Sequence, residues 1–438
     1  MPDLSNAFLQ WLLSQAEGIP PDLLREGADS LTLDRLVSTA LGTRESANLR
    51  VLLDTPADME ERSPAILIPG IMGSLLASTK GISAILWLNP TLLMSGYLNL
   101  LDVAEDGESD ASPDVDIIPF GIEKLTYLHL IQALARHTRL YEFPYDWRKS
   151  VVSSAHQLHA ALERWAVADP SRRFTIVCHS MGGIVSRAYL ALYPQEAERR
   201  IERLIMVGVP LHGAPASALT FSESLHPYLL VSHLHAQNNL QQFSASMPSV
   251  YQLLPAPESL FAASCPYPYD WDIYDASAWP LPGVRQEYLD SARDLHRLLA
   301  ASDPQVEMAN FAGCHKRTVI SVSRSLESPS RAEPEYGETG EQSGDEQVPL
   351  WSARANNVTT YYVEESHNLL VSNDRVLADI VSLLQGNTPG LPTVMPEPLS
   401  TAARIRSSPL AQQLSEIKAR IESGTLTRVD IDRLFFWR

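Results

Sequence analysis

Three polar residues of this chain have the types that acyl transfer through a serine nucleophile requires. Ser180 lies in the run CHSMGG, Asp345 in GDEQVP and His367 in ESHN. A serine hydroxyl attacks an ester carbonyl when a histidine takes its proton, and a carboxylate stabilises the charged histidine. The sequence therefore predicts Ser180 as the nucleophile, His367 as the base and Asp345 as the acid that supports the base.

The residues around Ser180 predict a sharp turn from a strand into a helix. The apolar run FTIVC precedes the serine, and a helical pattern follows at once. Such a corner lifts the serine hydroxyl clear of the sheet and admits only small neighbours. Gly182 meets this requirement, and Cys178, where a glycine is usual, is small enough to be tolerated. The amide of Met181 opens the helix, so it is the predicted donor to the oxyanion.

A second oxyanion donor is expected after the first core strand, where the apolar run AILI ends in PGIMG. Ile71 is the predicted donor, and Met72 is the alternative. The acid also has an alternative, because Glu346 adjoins Asp345 in the same turn.

Other histidines are interpreted as structural. His179 is expected to pack beside the serine, and His212 and His315 would rival His367 only if the predicted fold were wrong. Three more histidines lie close together, but no cysteine or acid joins them at the spacing of metal ligands: His226, His233 and His235. We therefore expect no metal site at these histidines, and acyl transfer through a serine needs no metal or organic cofactor.

The elements that must position these residues alternate between strands and helices. Apolar runs predict strands at 65–68, 140–143, 174–178, from Arg203, at 317–323 and from Val358, with helices at 121–137, 151–166 and 373–384. Alternation of this kind predicts an α/β fold with a mainly parallel sheet, in which reactive groups lie at the carboxyl ends of the strands. The chain order of serine, acid and histidine is that of α/β-hydrolases.

The predicted organisation is one large domain with extensions. Residues 1–60 are expected to be a helical N-terminal extension, 61–388 the α/β-hydrolase domain, and 389–438 a Pro-rich linker with a helical tail. Helical cap insertions are predicted at about 74–135 and 215–312. The polar, acidic stretch from Leu326 is expected to be a mobile loop.

Composition excludes some classes of partner. The 438 residues carry a formal charge of −18, which disfavours binding to nucleic-acid phosphates. Three scattered cysteines and an N-terminus without signal-peptide features predict a cytoplasmic protein. The apolar stretch 81–101 contains Asn, Pro and Gly, so we interpret it as a lid with transient membrane contact and not as a spanning helix. The terminal helices are candidate sites for a protein partner.

Several runs, in order, resemble the lecithin:cholesterol acyltransferase family, which includes lysosomal phospholipase A2 and phospholipid:diacylglycerol acyltransferases. These runs are PAILIPGIMGSLL, LWLNP, YDWR, CHSMGG, GVPLHGAP, GDEQVPLWSA and ESHNLLVSN. The resemblance covers roughly Pro64 to Leu384. It departs from the family pattern at Cys178, at Glu346 and Gln347, which replace a Gly-Thr pair, and at His212.

The resemblance implies a serine-dependent lipid acyl-ester hydrolase of phospholipase or lipase type, with acyl transfer as a second outcome of the same acyl-enzyme. Trp87, Asp146 and Arg148 are candidates for substrate or lid contact. For Asp146 and Arg148, an internal ion pair is the preferred interpretation and contact with a lipid head group the alternative. Two other functions stay open, namely a carboxylesterase for small soluble esters and a non-catalytic interaction protein on the same fold.

Overall fold

A computed structural model of the chain describes residues 62–80, 85–87, 92, 95–221, 235, 237–261, 265–280, 283–325, 327, 332–354 and 357–398. The predicted N-terminal helices and the helical tail from residue 399 lie outside this part. So do 10 of the 21 residues of the predicted lid stretch and two of the three clustered histidines. Each statement below concerns the described residues.

The described strands form one large sheet and two small ones. The strands are β1 Pro64–Ile68, β2 Ser74–Ser78, β3 Ile85–Trp87, β4 Ile117–Ile122, β5 Arg139–Glu142, β6 Phe174–His179, β7 Ile201–Val207, β8 Glu307–Gly313, β9 Thr318–Arg324, β10 Ala332–Gly337 and β11 Thr359–Val363. The large sheet has the order β11-β8-β7-β6-β1-β5, and every neighbouring pair in it is parallel. β2 lies between β3 and β4 in one small antiparallel sheet, and β9 pairs with β10 in the other.

Helices connect the strands, as parallel pairing requires. They are α1 Lys124–His137, α2 Val151–Trp165, α3 Met181–Leu192, α4 Pro194–Arg200, α5 Leu240–Ser246, α6 Pro248–Gln252, α7 Gln286–Ala301, α8 Leu350–Ala353 and α9 Asp374–Leu384. Short 3-10 turns occupy Leu98–Leu101, Pro215–Phe221, Glu258–Leu260, Ala276–Ala278, Gly340–Gln342 and His367–Ser372. Ser150 begins α2 by accepting a hydrogen bond from the Val152 amide, which is how serine caps a helix.

The core has two layers because the strand residues alternate between the faces of the large sheet. Ile66 and Ile68 of β1 pack with α2 and α3 on one face, whereas Leu67 packs with α1 and α9 on the other. With both faces covered, the inner strands read as continuous apolar runs. This arrangement confirms the predicted α/β-hydrolase class.

Two predicted boundaries need correction. The range 215–312 was predicted to be a helical cap, but β8 at its end pairs with β7 and β11 in the large sheet. The sequence of β8, EMANFAG, contains no continuous apolar run, so its strand character was missed. The stretch after Leu326 was predicted to be a mobile loop throughout, but Ala332–Gly337 is a strand that pairs with β9.

The predicted first cap, at 74–135, contains the small sheet of β2, β3 and β4 as well as α1. In the described part of the chain, no helix is both long and apolar enough to span a membrane.

Candidate active site

Ser180 occupies a strained corner between β6 and α3. Its backbone has φ 52° and ψ −128°, a conformation that non-glycine residues rarely adopt. The Ser180 amide donates to the Val207 carbonyl at 2.9 Å, and the Gly183 amide donates to the Ser180 carbonyl at 2.9 Å. These bonds hold the corner, as expected where a nucleophile is presented above a parallel sheet.

The two flanking positions differ in the space they leave. A Cβ atom on Gly182 would lie 2.4 Å from the Pro69 carbonyl oxygen and 2.6 Å from that of Ile68, so a side chain there would collide with the backbone that follows β1. Cys178 instead points into the core between strand and helix layers, fully buried. Its burial raises the pKa of the thiol to about 12, so the thiol stays neutral and acts as a small apolar group. The departure at Cys178 is therefore compatible with the corner.

His367 and Asp345 form a buried hydrogen-bonded pair. His367 Nδ1 lies 2.8 Å from Asp345 Oδ2, and the His367 amide donates to the Asp345 carbonyl at 2.7 Å. Asp345 Oδ1 accepts from the Val348 amide at 2.7 Å and from the Gln347 amide at 3.1 Å. The side chains of His367 and Asp345 are 4% and 1% exposed. A proton on Nδ1 leaves Nε2 as the nitrogen that can accept the proton of a nucleophile.

Glu346 adjoins this pair but does not bond to the imidazole in the structure. Its backbone has φ 86°, and its amide donates to Thr318 Oγ1 at 2.9 Å. The pKa of its carboxyl is raised to about 7, mainly by burial and also by the neighbouring carboxylates Asp345 and Glu365, while Lys316 and His367 act in the opposite direction. Of the two adjacent acids, the geometry therefore favours Asp345 as the partner of the histidine.

The corner at Ser180 and the turn that carries His367 lie close together at the carboxyl end of β7. The rings of His179 and His367 lie 4.7 Å apart between centroids. A Cβ atom on Gly208 would lie 3.2 Å from His367 Cε1, next to the Val207 carbonyl that accepts from Ser180. Among the described residues, Ser180 Oγ and His367 Nε2 share no hydrogen bond. Such bonds are often long before substrate binds, so the pairing is compatible with a nucleophile and its base.

The turn after β1 packs directly against the serine. A Cβ atom on Gly70 would lie 2.8 Å from Ser180 Cβ. The Gly73 amide donates to the Gly70 carbonyl at 3.1 Å, and Met72 has φ 63°. Within the described contacts, no hydrogen bond occupies the amides of Ile71, Met72 or Met181. All three therefore remain able to donate to an oxyanion, and the choice of Ile71 over Met72 stays a prediction.

Three aromatic side chains donate hydrogen bonds to backbone carbonyls in and next to this turn. Trp87 Nε1 donates to the Met72 carbonyl at 3.0 Å, Tyr145 Oη to the Pro69 carbonyl at 3.0 Å, and Trp147 Nε1 to the Ser74 carbonyl at 3.1 Å. Trp87 was a candidate for lid or substrate contact; its indole instead supports the turn that carries the predicted oxyanion donors. The sequence signal was present, since buried Trp and Tyr need a partner for their polar atom, but the partner could not be read from it.

Asp146 and Arg148 form an internal ion pair. Arg148 Nε donates to Asp146 Oδ1 at 2.9 Å, and Nη2 donates to Asp146 Oδ2 at 2.6 Å and to Asp110 Oδ1 at 2.9 Å. Arg148 Nη1 donates to the Leu101 carbonyl at 3.0 Å. The Arg148 side chain is fully buried, so these contacts correspond to the preferred interpretation and not to a lipid head-group site.

The remaining histidines lack a carboxylate partner within the described contacts. Gly340 donates to His315 Nδ1 at 3.2 Å, and His315 Nε2 lies 2.7 Å from the Pro396 carbonyl, so the backbone engages both ring nitrogens. Burial lowers the pKa of His212. In the described part of the chain, no group of three or more His, Cys, Asp or Glu side chains is arranged to hold a metal ion.

Comparison with known proteins gives matches to one family. The family model described as lecithin:cholesterol acyltransferase matches residues 126–279. Phospholipase A(1) LCAT3 of Arabidopsis thaliana is 26% identical over 258 residues, which is 47% of this chain and 55% of that protein. Lecithin-cholesterol acyltransferase-like 4 of the same plant is 24% identical over 143 residues, 31% of this chain and 24% of that protein. The chain thus spans about half the length of the first relative and a quarter of the second.

Among solved structures, the Tle4–Tli4 complex contains a chain similar to this one. The TM-score is 0.49 with 14% sequence identity, and the match covers 74% of this chain and 98% of that chain.

Proposed function

We propose that the chain is a serine-dependent hydrolase of lipid acyl esters, a function supported by the match of the lecithin:cholesterol acyltransferase family model to residues 126–279. The observation that carries the proposal is the buried Asp345–His367 pair packed behind a strained serine corner. A structural serine would have no need of positive φ, and a structural histidine would have no need of a buried carboxylate.

The proposed reaction proceeds in two steps. Ser180 Oγ attacks the ester carbonyl while His367 Nε2 takes its proton, and the amides of Ile71 and Met181 donate to the oxyanion. His367 then gives the proton to the departing alcohol, which leaves the acyl group on Ser180. In the second step, water attacks the acyl-enzyme, and His367 takes its proton and returns it to Ser180. A lipid hydroxyl in place of water would give acyl transfer.

Lipid is the proposed substrate class because of the relatives. One relative is named as a phospholipase A(1). The matching family model is described as lecithin:cholesterol acyltransferase, and both of these names refer to lipids. The first predicted cap also bears apolar side chains that face solvent, with Tyr97 49% and Ile118 42% exposed. Part of the proposal is therefore that this region contacts a membrane surface transiently, in the cytoplasm.

The experiment is mass spectrometry of mixed phospholipid and diacylglycerol vesicles after incubation with the protein, with Ser180→Ala as the control. Free fatty acid and lysolipid that are absent from the Ser180→Ala sample are the expected products. Triacylglycerol and lysolipid without free fatty acid would identify acyl transfer as the main reaction. Lipids that match the control would overturn the proposal for lipids, and a fluorophosphonate that failed to label the wild type would overturn it for esters altogether.

A further inference from the structure

Tyr127 and His179 lie beneath the candidate site, and neither has a role in the two steps above. We infer that they are positioning residues, whose hydrogen bonds fix the turn that carries the oxyanion donors relative to the histidine that acts as base. This inference rests on the proposed function. It concerns two buried side chains whose hydrogen bonds connect four segments of the chain, namely the turn after β1, α1, β6 and the turn that carries His367.

The first link joins the turn after β1 to α1. The Gly70 amide donates to Tyr127 Oη at 2.8 Å, and Tyr127 Oη lies 2.8 Å from His179 Nδ1. Because the tyrosine oxygen accepts from Gly70, its own hydrogen is available for the imidazole, so Nδ1 is the acceptor. The Tyr127 side chain is almost completely buried, so loss of either bond would leave a buried polar group unsatisfied.

The second link joins His179 to the histidine turn. With Nδ1 accepting, the ring hydrogen of neutral His179 is on Nε2, which lies 3.2 Å from the His367 carbonyl oxygen. Burial lowers the pKa of His179 well below its ordinary value, and the neighbouring His367 lowers it further, so the ring stays neutral. A neutral ring in one tautomer can accept at one end and donate at the other, which a charged ring cannot.

The three hydrogen bonds therefore form one directed chain from Gly70 through Tyr127 and His179 to His367. Gly70 precedes the predicted donor Ile71 and packs on Ser180, where an added Cβ atom would lie 2.8 Å from Ser180 Cβ. His179 immediately precedes Ser180, so the chain passes under the nucleophile itself. A shift at either end would change the distance between the oxyanion donors and the base, and displacements of about 1 Å can cost about 100-fold in rate.

The test compares variants that cut the chain at each link. Tyr127→Phe and His179→Phe keep the aromatic packing and remove the hydrogen bonds. We expect each to lower kcat about 10- to 100-fold, with KM changed by less than about 3-fold, since the chain positions groups that act in the transition state. The double variant should lose no more than the worse single variant, because both changes interrupt the same chain.

Two further variants separate positioning from folding. His179→Gln places an amide donor near the position of Nε2 and should recover most of the kcat lost in His179→Phe. Tyr189→Phe removes a buried hydroxyl that has no partner among the described residues, and should leave kcat unchanged. All rates are expressed per site labelled by fluorophosphonate after prolonged reaction, so that unfolded protein does not count.

The outcomes are distinct for this inference and for the proposed function. Wild-type kcat in Tyr127→Phe, or a double variant whose loss is the product of the two single losses, would overturn the inference while the enzyme remained active. Formation of neither fatty acid nor lysolipid by the wild type would overturn the proposed function instead. Wild-type kcat in His179→Phe together with a loss in His179→Gln would mean that the ring acts only by packing, and would overturn the inference.

Discussion

Two adjacent carboxylates lie beside the candidate base, and one of them bonds to it. Asp345 Oδ2 lies 2.8 Å from His367 Nδ1, whereas Glu346 has no such contact in the structure. We predict that Asp345→Asn lowers kcat by about 10³- to 10⁴-fold, because an amide in this position favours the wrong tautomer of the histidine. Glu346→Gln should lower it by less than about 10-fold, since it leaves the pair intact.

Steady-state kinetics with a chromogenic ester would measure both variants. Circular dichroism and a melting curve control for misfolding. Equal or reversed losses would mean that Glu346 is the acid and that the arrangement around Asp345 changes when substrate binds.

Glu346 also predicts a dependence of stability on pH. Its pKa is raised from 4.5 in the unfolded reference to about 7 in the folded protein, mainly by burial. Between these values the folded state holds a proton that the unfolded state has released, so this residue's contribution to the free energy of unfolding falls as pH rises. Urea unfolding at about pH 5 and about pH 8 should therefore show Glu346→Gln gaining stability relative to wild type at the higher pH. A difference between the proteins that does not vary with pH would contradict this pKa.

At the scale of elements, the corner between β6 and α3 predicts that substitution lowers turnover at one of its flanks and not at the other. Gly182→Ala would place a Cβ atom 2.4 Å from the Pro69 carbonyl oxygen, so α3 must move away from β1 and take Ser180 with it. We expect a loss of about 1–3 kcal/mol in the free energy of unfolding and of at least about 100-fold in kcat. Cys178→Ala, the matched control, removes one buried sulfur and should cost about 1 kcal/mol with little change in kcat.

Urea unfolding and ester kinetics on the two variants would check this. If Gly182→Ala retained wild-type turnover, the approach of β1 to α3 would not control the position of the serine.

The sequence correctly predicted those elements whose own residues show a clear apolar pattern. β1, β5, α2 and α9 were expected within a few residues of where they lie, because each covers a core face with its own apolar side chains. β8 was missed because its sequence, EMANFAG, has no apolar pattern typical of a strand. Its strand conformation depends on hydrogen bonds to its neighbours β7 and β11 in the large sheet. The strand predicted at 317–323 is β9, but it pairs with β10 in a small antiparallel sheet and not with the strands of the large sheet.

The candidate site residues could be predicted from their order along the chain and from the short runs around them. The hydrogen bonds that hold those residues in place could not. Ser180, Asp345 and His367 were predicted from short runs that need no knowledge of the fold. Tyr127 and Gly70 are 57 residues apart, so their hydrogen bond depends on how α1 packs on the sheet. Long-range contacts of this kind are a property of tertiary packing, which a local pattern does not encode.

At the scale of the whole molecule, Arg148 joins the region before α1 to the turn before α2. It bonds to Asp110 and Leu101 on one side and to Asp146 on the other, fully buried. We predict that Arg148→Met destabilises the protein by about 3–5 kcal/mol, because it leaves buried carboxylates without their partner. Arg297→Met is the control, since Arg297 and Asp294 form an exposed pair whose loss should cost less than about 1 kcal/mol.

Denaturant unfolding followed by tryptophan fluorescence would compare the two variants. Similar midpoints for both would show that the internal ion pair is not needed to keep the predicted cap region attached to the sheet.

The turn that carries Asp345 closes on the chain where the β9–β10 hairpin begins. The Lys316 amide donates to the Gly344 carbonyl at 3.0 Å, and the Gly344 amide returns a bond to the Lys316 carbonyl at 3.4 Å. The two hydrogen bonds between Lys316 and Gly344 thus close the chain at the start of the hairpin. They help to fix the backbone next to Asp345, whatever the length of the hairpin beyond them. Residues inserted between β9 and β10 would therefore lengthen the hairpin without moving its base, so we expect the 2.8 Å contact between Asp345 Oδ2 and His367 Nδ1 to be kept in such a variant.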